Sequence, residues 1–144
     1  MLHLSSWGNT SSSKHKILDL QNQEKSQYLL SLDSKGIVYG MGKSYGDACL
    51  NPGGIAWKST NLDRLIEFDT KLGIVECESG ISLKSIQDLI MPKGWMLPVS
   101  PGTQYISVGG AIANDIHGKN HHKLGTFGNH VLEILLLRSN SEPI

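Results

Sequence analysis

Apolar positions along the chain fall in short alternating or clustered groups separated by glycine-rich stretches. Lys16-Ile17-Leu18-Asp19-Leu20 predicts a short strand. Asn22 is placed to cap a helix over residues 23–32, which Gly36 would end. Ile37-Val38-Tyr39 is β-prone and bounded by glycine, so it predicts a second strand and completes a β-α-β unit. After a turn at Asn51-Pro52-Gly53-Gly54, residues 55–58 predict another strand, and Asn61 could cap a single turn carrying Leu62 and Leu65. Residues 66–69 and 74–78, joined by a turn through 70–73, predict a hairpin. Ser82 opens a helix with Leu83, Ile86, Leu89 and Ile90 on one face, stopped by Pro92 and Gly94. Residues 95–99 read as extended, 108–113 as a short small-residue helix, and 131–137 as a last strand. The fold class is α+β. A β-α-β lobe over about 1–58 should pack beside a mostly antiparallel lobe over about 59–144.

Composition narrows the functions open to such a chain. With 144 residues, 39% hydrophobic, it can bury one modest core. Thirteen basic and thirteen acidic residues cancel, so no basic excess argues for a nucleic-acid groove or an anionic membrane surface. The apolar run 134–137 is far too short to span a bilayer, so no transmembrane segment is expected. Residues 1–7 lack the basic start and apolar core of a signal peptide, which leaves the cytoplasm as the default compartment. Cys49 and Cys77 have no CxxC spacing and read as free structural thiols. The unusual feature is the 16 glycines, clustered between apolar segments as shaped loops would be.

Three motifs could carry chemistry. Gly40-Met41-Gly42-Lys43-Ser44-Tyr45-Gly46-Asp47 directly follows a strand. Its backbone N–H groups could face phosphate oxygens, with Lys43 and Ser44 adding a charge and a hydroxyl. It matches neither the P-loop nor the dinucleotide fingerprint, and an ordinary glycine turn explains it about as well. Pro101-Gly102-Thr103 and Val108-Gly109-Gly110-Ala111-Ile112-Ala113 leave room for a flat or extended ligand against the backbone; tight helix-on-sheet packing asks for the same residues. His117, His121 and His122 invite a metal reading. Gly118 between them, and the lack of a carboxylate or cysteine at ligand spacing beyond, argue instead for histidines serving a polar pocket and no metal.

Taken in order, these segments resemble one family. It is the FAD-linked oxidases with a p-cresol methylhydroxylase-type flavin domain, and the likeness runs through Asn114-Asp115-Ile116-His117-Gly118-Lys119-Asn120-His121-His122 and Phe127-Gly128-Asn129-His130-Val131. Trp7-Gly8 also fits near the start, so nearly the whole chain is covered. The resemblance implies a two-lobed flavin domain with FAD between its lobes. Gly40, Met41, Gly42, Lys43, Ser44 and Tyr45 would wrap the pyrophosphate. Pro101, Gly102, Thr103, Val108, Gly109, Gly110, Ala113, Asn114 and His117 would line the rest of the cofactor. Tyr45, His117 and Lys119 would be the catalytic polar groups near the flavin ring. Lys43 stands where related sugar-alcohol and lactone oxidases often carry a flavin-linked histidine, which implies non-covalent FAD. The family reaction would be oxidation of a secondary alcohol, the 2′-hydroxyl of a polyprenyl-phosphate pentose, to a ketone. An alditol or aldonolactone oxidase-like enzyme is the related alternative, and a non-catalytic remnant or interaction module the one from another class. The family's flavin domain continues past a point matching Ile144. The domain is therefore expected to be C-terminally incomplete, with no substrate domain, a separate chain conceivable as the supplier of the rest, and weak FAD binding without turnover for these residues alone.

Overall fold

The computed structural model describes residues 2–9, 11–32, 35–139 and 143–144. They form two compact units, Met1–Leu62 with Glu133–Ile144, and Asp63–Leu132.

In the first unit, strands β1 (Leu2–Ser5), β2 (Ser12–Asp19), β3 (Gly36–Tyr39) and β4 (Ile55–Lys58) form one sheet in the order β1-β2-β4-β3. β1 pairs antiparallel with β2; β4 pairs parallel with both β2 and β3. The β-α-β pattern is present, but its two strands are not neighbours, because β4 lies between them. As the strand paired on both edges, β4 carries the fully buried Ala56. Helix α1 (Gln23–Ser31) connects β2 to β3, and the Asn22 side chain accepts the Lys25 N–H at 2.9 Å as its cap. Strand β2 starts four residues before the apolar pattern does, since its polar beginning pairs with β1.

The second unit opens with a hairpin, β5 (Leu65–Asp69) and β6 (Ile74–Cys77). Helix α2 (Leu83–Ile90) follows, capped by Ser82, whose hydroxyl accepts the Ser85 N–H at 2.9 Å. Two short helices, α3 (Val108–Ala113) and α4 (His121–Leu124), and a 3₁₀ turn at Phe127–His130 complete the unit. Leu83, Val99, Ala111 and Phe127 form one core cluster, and Ile81, Ile86 and Ile90 another. Cys77 packs against the second cluster, and burial, followed by Glu76 and Glu78, pushes its thiol up to about 11. A structural thiol is what this describes.

Two sequence expectations change. Leu62 closes a turn onto the Ser59 carbonyl, but no helix forms, and Leu65 begins β5 instead. Residues 131–137 are not assigned as a strand: a strand exists only where its backbone is paired, and among the described residues only Leu136 bonds in ladder fashion, to Ile144. Among the described residues no helix is long and apolar enough to cross a membrane.

Candidate functional site

The first glycine loop leaves the end of β3 in the first unit. Gly42 sits at φ +61, and a Cβ there would strike the Tyr39 hydroxyl and stand 2.9 Å from the Ser5 carbonyl oxygen. Only glycine suits this position. The Tyr39 hydroxyl donates to that carbonyl at 2.7 Å. Burial and the nearby Cys49 thiol raise the phenol above its usual range, against the effect of the Ser5 bond, so it remains a donor. The Trp7 N–H donates to the Ser44 carbonyl at 3.2 Å, and Lys43 Nζ lies 5.2 Å from the Trp7 ring centroid. The chain around Ser5 and Trp7 thus braces the loop at both ends. The sequence put Tyr39 at the end of a strand and Trp7-Gly8 in the family resemblance, but gave neither of them, nor Ser5, a part in bracing the loop.

With the carbonyl of Ser44 engaged and Gly42 reversing the backbone, the N–H groups of residues 41–45 meet no hydrogen-bond acceptor among the described residues. Lys43 is exposed beside them, and Tyr45 is 83% exposed. Unpaired donors and a cation on a glycine turn are the features that an anion-binding loop requires.

The second set of residues lies within the second unit, where several segments meet. Ser107 caps α3 by accepting the Gly110 N–H at 3.2 Å, and the Gly109 N–H donates to the Ser79 carbonyl at 2.7 Å. Gly109 is close enough to Ser79 that a Cβ would stand 3.1 Å from its side chain. Asn114 returns its amide to the Gly110 carbonyl at 2.8 Å, and Ala113 is exposed next to it. Gly118 is buried against the Ser100 backbone, and Asn120 donates to the Pro98 carbonyl at 3.0 Å. These contacts set Pro98 and Ser100, just before Pro101, against the loop bearing His117 and Lys119. Both of those side chains are exposed. The His117 ring meets His121 edge-on at 5.4 Å, and His121 Nδ1 pairs with the Gly118 carbonyl. Among the described residues no three His, Cys, Asp or Glu side chains converge as metal ligands would.

A cleft of about 530 Å³ opens in this unit, lined by Leu83, Gln87, Met91 and Tyr105 together with Pro101 to Thr103. That volume is in the range of small-molecule sites. Gln87 Oε1 accepts the Leu97 N–H at 3.2 Å, while its Nε2 is buried with no partner among the described residues. A buried amide N–H without an acceptor suits a ligand that brings one.

The FAD binding domain family matches residues 24–143. Over 106 residues the chain is 44% identical to the decaprenylphosphoryl-beta-D-ribose oxidase of Mycolicibacterium smegmatis, covering 74% of this chain and 23% of that protein. It is 33% identical over 69 residues to a D-lactate dehydrogenase of Archaeoglobus fulgidus, covering 48% of this chain and 16% of that one. An alkyldihydroxyacetonephosphate synthase superposes with a TM-score of 0.70 at 15% sequence identity, over 84% of this chain and 24% of its own, a likeness of fold. The matched region is less than a quarter of the length of each of these relatives. With the family matched along most of its length, this chain belongs to the FAD binding domain family, in the p-cresol methylhydroxylase-type form of the FAD-linked oxidases.

Proposed function

We propose that this chain supplies FAD-holding and proton-handling residues to an oxidoreductase that converts a secondary alcohol to a ketone. The substrate class is a polyprenyl-phosphate pentose, taken from the name of the 44% identical oxidase. The observation that carries the reading is the loop of residues 40–46. Its unpaired N–H groups, the Lys43 cation and the Ser44 hydroxyl fit a pyrophosphate, and the unpaired Gln87 donor beside Pro101 to Thr103 fits a ligand rich in acceptors.

Bound FAD would supply the acceptor for the hydride that leaves the sugar carbon. Gly40, Met41, Gly42, Lys43, Ser44 and Tyr45 hold the pyrophosphate. Pro101, Gly102, Thr103, Val108, Gly109, Gly110, Ala113 and Asn114 line the remainder. An imidazole nitrogen of His117 takes the proton of the substrate hydroxyl, which must leave as the carbonyl forms. The Lys119 ammonium, on the same loop as His117, orients that hydroxyl. Lys43 carries no imidazole through which a histidyl–flavin bond could form, so the cofactor is held non-covalently.

Quenching of tryptophan fluorescence on FAD titration tests the reading, because Trp7 lies against Lys43. Saturable binding is expected, weakened about tenfold by Lys43→Glu, with all flavin released into the supernatant on acid precipitation. Identical titrations for the two proteins would remove the loop from the site. In a complete enzyme carrying these residues, anaerobic bleaching of the flavin by a polyprenyl-phosphate ribose, and not by a simple alditol, identifies the substrate class.

A further inference from the structure

Asp115 and Asn9 are the non-glycine residues with positive φ among the described residues, Asp115 at +40. Side chains enter that region at a cost, so it persists where surrounding bonds impose it. Here three bonds do so. The Asp115 N–H donates to the Ile112 carbonyl at 3.0 Å and the Ile116 N–H to the Ala111 carbonyl at 3.1 Å, which ends α3 and reverses the chain. Asp115 Oδ1 then accepts the Gly128 N–H at 2.8 Å, reaching thirteen residues forward.

That third bond matters because of what lies between its ends. The Phe127 N–H donates to the Ile116 carbonyl at 2.8 Å, and His117 bridges antiparallel to Thr126. Phe127 is buried in the cluster of Leu83, Val99 and Ala111. The backbone of His117 is therefore held against a turn rooted in the core, and the Asp115 carboxylate pins the far end of that turn. Glycine would adopt this φ more readily but has no acceptor to offer Gly128. A short acceptor side chain that tolerates the left-handed region meets both demands, which only Asp and Asn do well.

We infer that Asp115 is a positioning residue, whose carboxylate fixes the Phe127–His130 turn and thereby the placement of His117. Its consequence for catalysis rests on His117 taking the substrate proton; the placement itself does not.

The test compares Asp115→Asn, which keeps the acceptor, with Asp115→Gly, which keeps the conformation and loses it. The readouts are the ring resonances of His117, assigned through His117→Gln, and amide exchange at Gly128. The asparagine variant should match the parent protein. The glycine variant should shift the His117 signals and speed Gly128 exchange at least tenfold, with far-UV circular dichroism unchanged. In a complete enzyme carrying these residues it should slow substrate-dependent bleaching about tenfold while FAD affinity stays within twofold. Unchanged His117 signals and Gly128 exchange in the glycine variant would overturn the inference, as would an asparagine variant behaving like glycine. An unprotected Gly128 amide in the unsubstituted protein overturns it however the variants fold. Absence of FAD binding by the unsubstituted protein would instead defeat the proposed function and leave the resonance comparison standing.

Discussion

His15 Nε2 accepts the backbone N–H of Asn51 at 2.7 Å, tying the middle of β2 to the turn that precedes β4. Because Nε2 is the acceptor, the ring proton sits on Nδ1, which donates to the Ser13 carbonyl at 2.8 Å. The ring is fully buried. His15→Ala removes both bonds and leaves a void, and losing one partner of a buried pair costs more than the bond itself contributes. A loss of about 3 kcal/mol in urea denaturation is expected. Nitrogen shifts of the ring showing an Nε2–H tautomer would contradict the assignment.

Helix α2 offers an internal control. Leu83 is 2% exposed and sits in the core cluster, whereas Leu89 is 39% exposed. Leu83→Ala should cost about 2–5 kcal/mol and Leu89→Ala under about 1 kcal/mol. Comparable losses in chemical denaturation would mean that a different face of the helix is buried.

Arg64 and Glu78 join the start of β5 to the residue just after β6. The Glu78 carboxylate takes the guanidinium at 2.7 and 3.1 Å and the Arg64 N–H at 3.0 Å. The Arg64 side-chain bonds hold the carboxyl below its usual range, against the opposing effect of burial. A depressed acid stabilises the fold above the unfolded-state value, about 4.3, and that contribution is lost as the pH falls through the lower folded value. The Arg64 side chain faces solvent although Glu78 is largely covered, so the effect is modest. Glu78→Gln should lower the melting temperature by roughly 2–5 °C at pH 7 and by nothing once both states are protonated. A difference that persists undiminished at pH 2 would rule out the ion pair as its source.

What could be read from the sequence follows from how local each signal is. Asn22 and Ser82 cap helices through side chains that reach three residues forward, so α1 and α2 were legible, and α3 was read from its run of small residues, its Ser107 cap going unnoticed. Hydrophobic spacing placed Leu89 with Leu83, Ile86 and Ile90, but a helix of eight residues buries a narrower stripe than the pattern suggests. Strand β1 was missed because Leu2 and His3 are exposed and the pairing with β2 carries no apolar alternation. Residues 131–137 show the reverse, an apolar run whose strand character depends on a partner that local sequence cannot supply. At the site, the glycine clusters and the His117 loop stood out by composition. The bracing by Trp7 and Tyr39 and the reversal at Asp115 depend on contacts across many residues, which spacing does not encode.

Gly42 and Gly46 allow conformation to be separated from crowding within one loop. Both sit near φ +60, so alanine at either must enter the left-handed region at roughly 1–2 kcal/mol. At Gly46 nothing lies within 4 Å of where a Cβ would stand, and that conformational cost is the whole penalty. At Gly42 the new Cβ also meets the Tyr39 hydroxyl and the Ser5 carbonyl, so the Tyr39–Ser5 bond must break or the loop must shift. Gly42→Ala should therefore cost about 1–2 kcal/mol more than Gly46→Ala, a buried hydrogen bond being lost with its partner left in place. The same shift would turn the N–H groups beside Lys43 away from a bound pyrophosphate. FAD affinity should then fall at least tenfold for Gly42→Ala and less than threefold for Gly46→Ala, read by tryptophan quenching. Equal stability losses in the two variants would show that Tyr39 does not brace the loop. Equal FAD affinities despite unequal stability would show that the braced geometry is not what the cofactor uses.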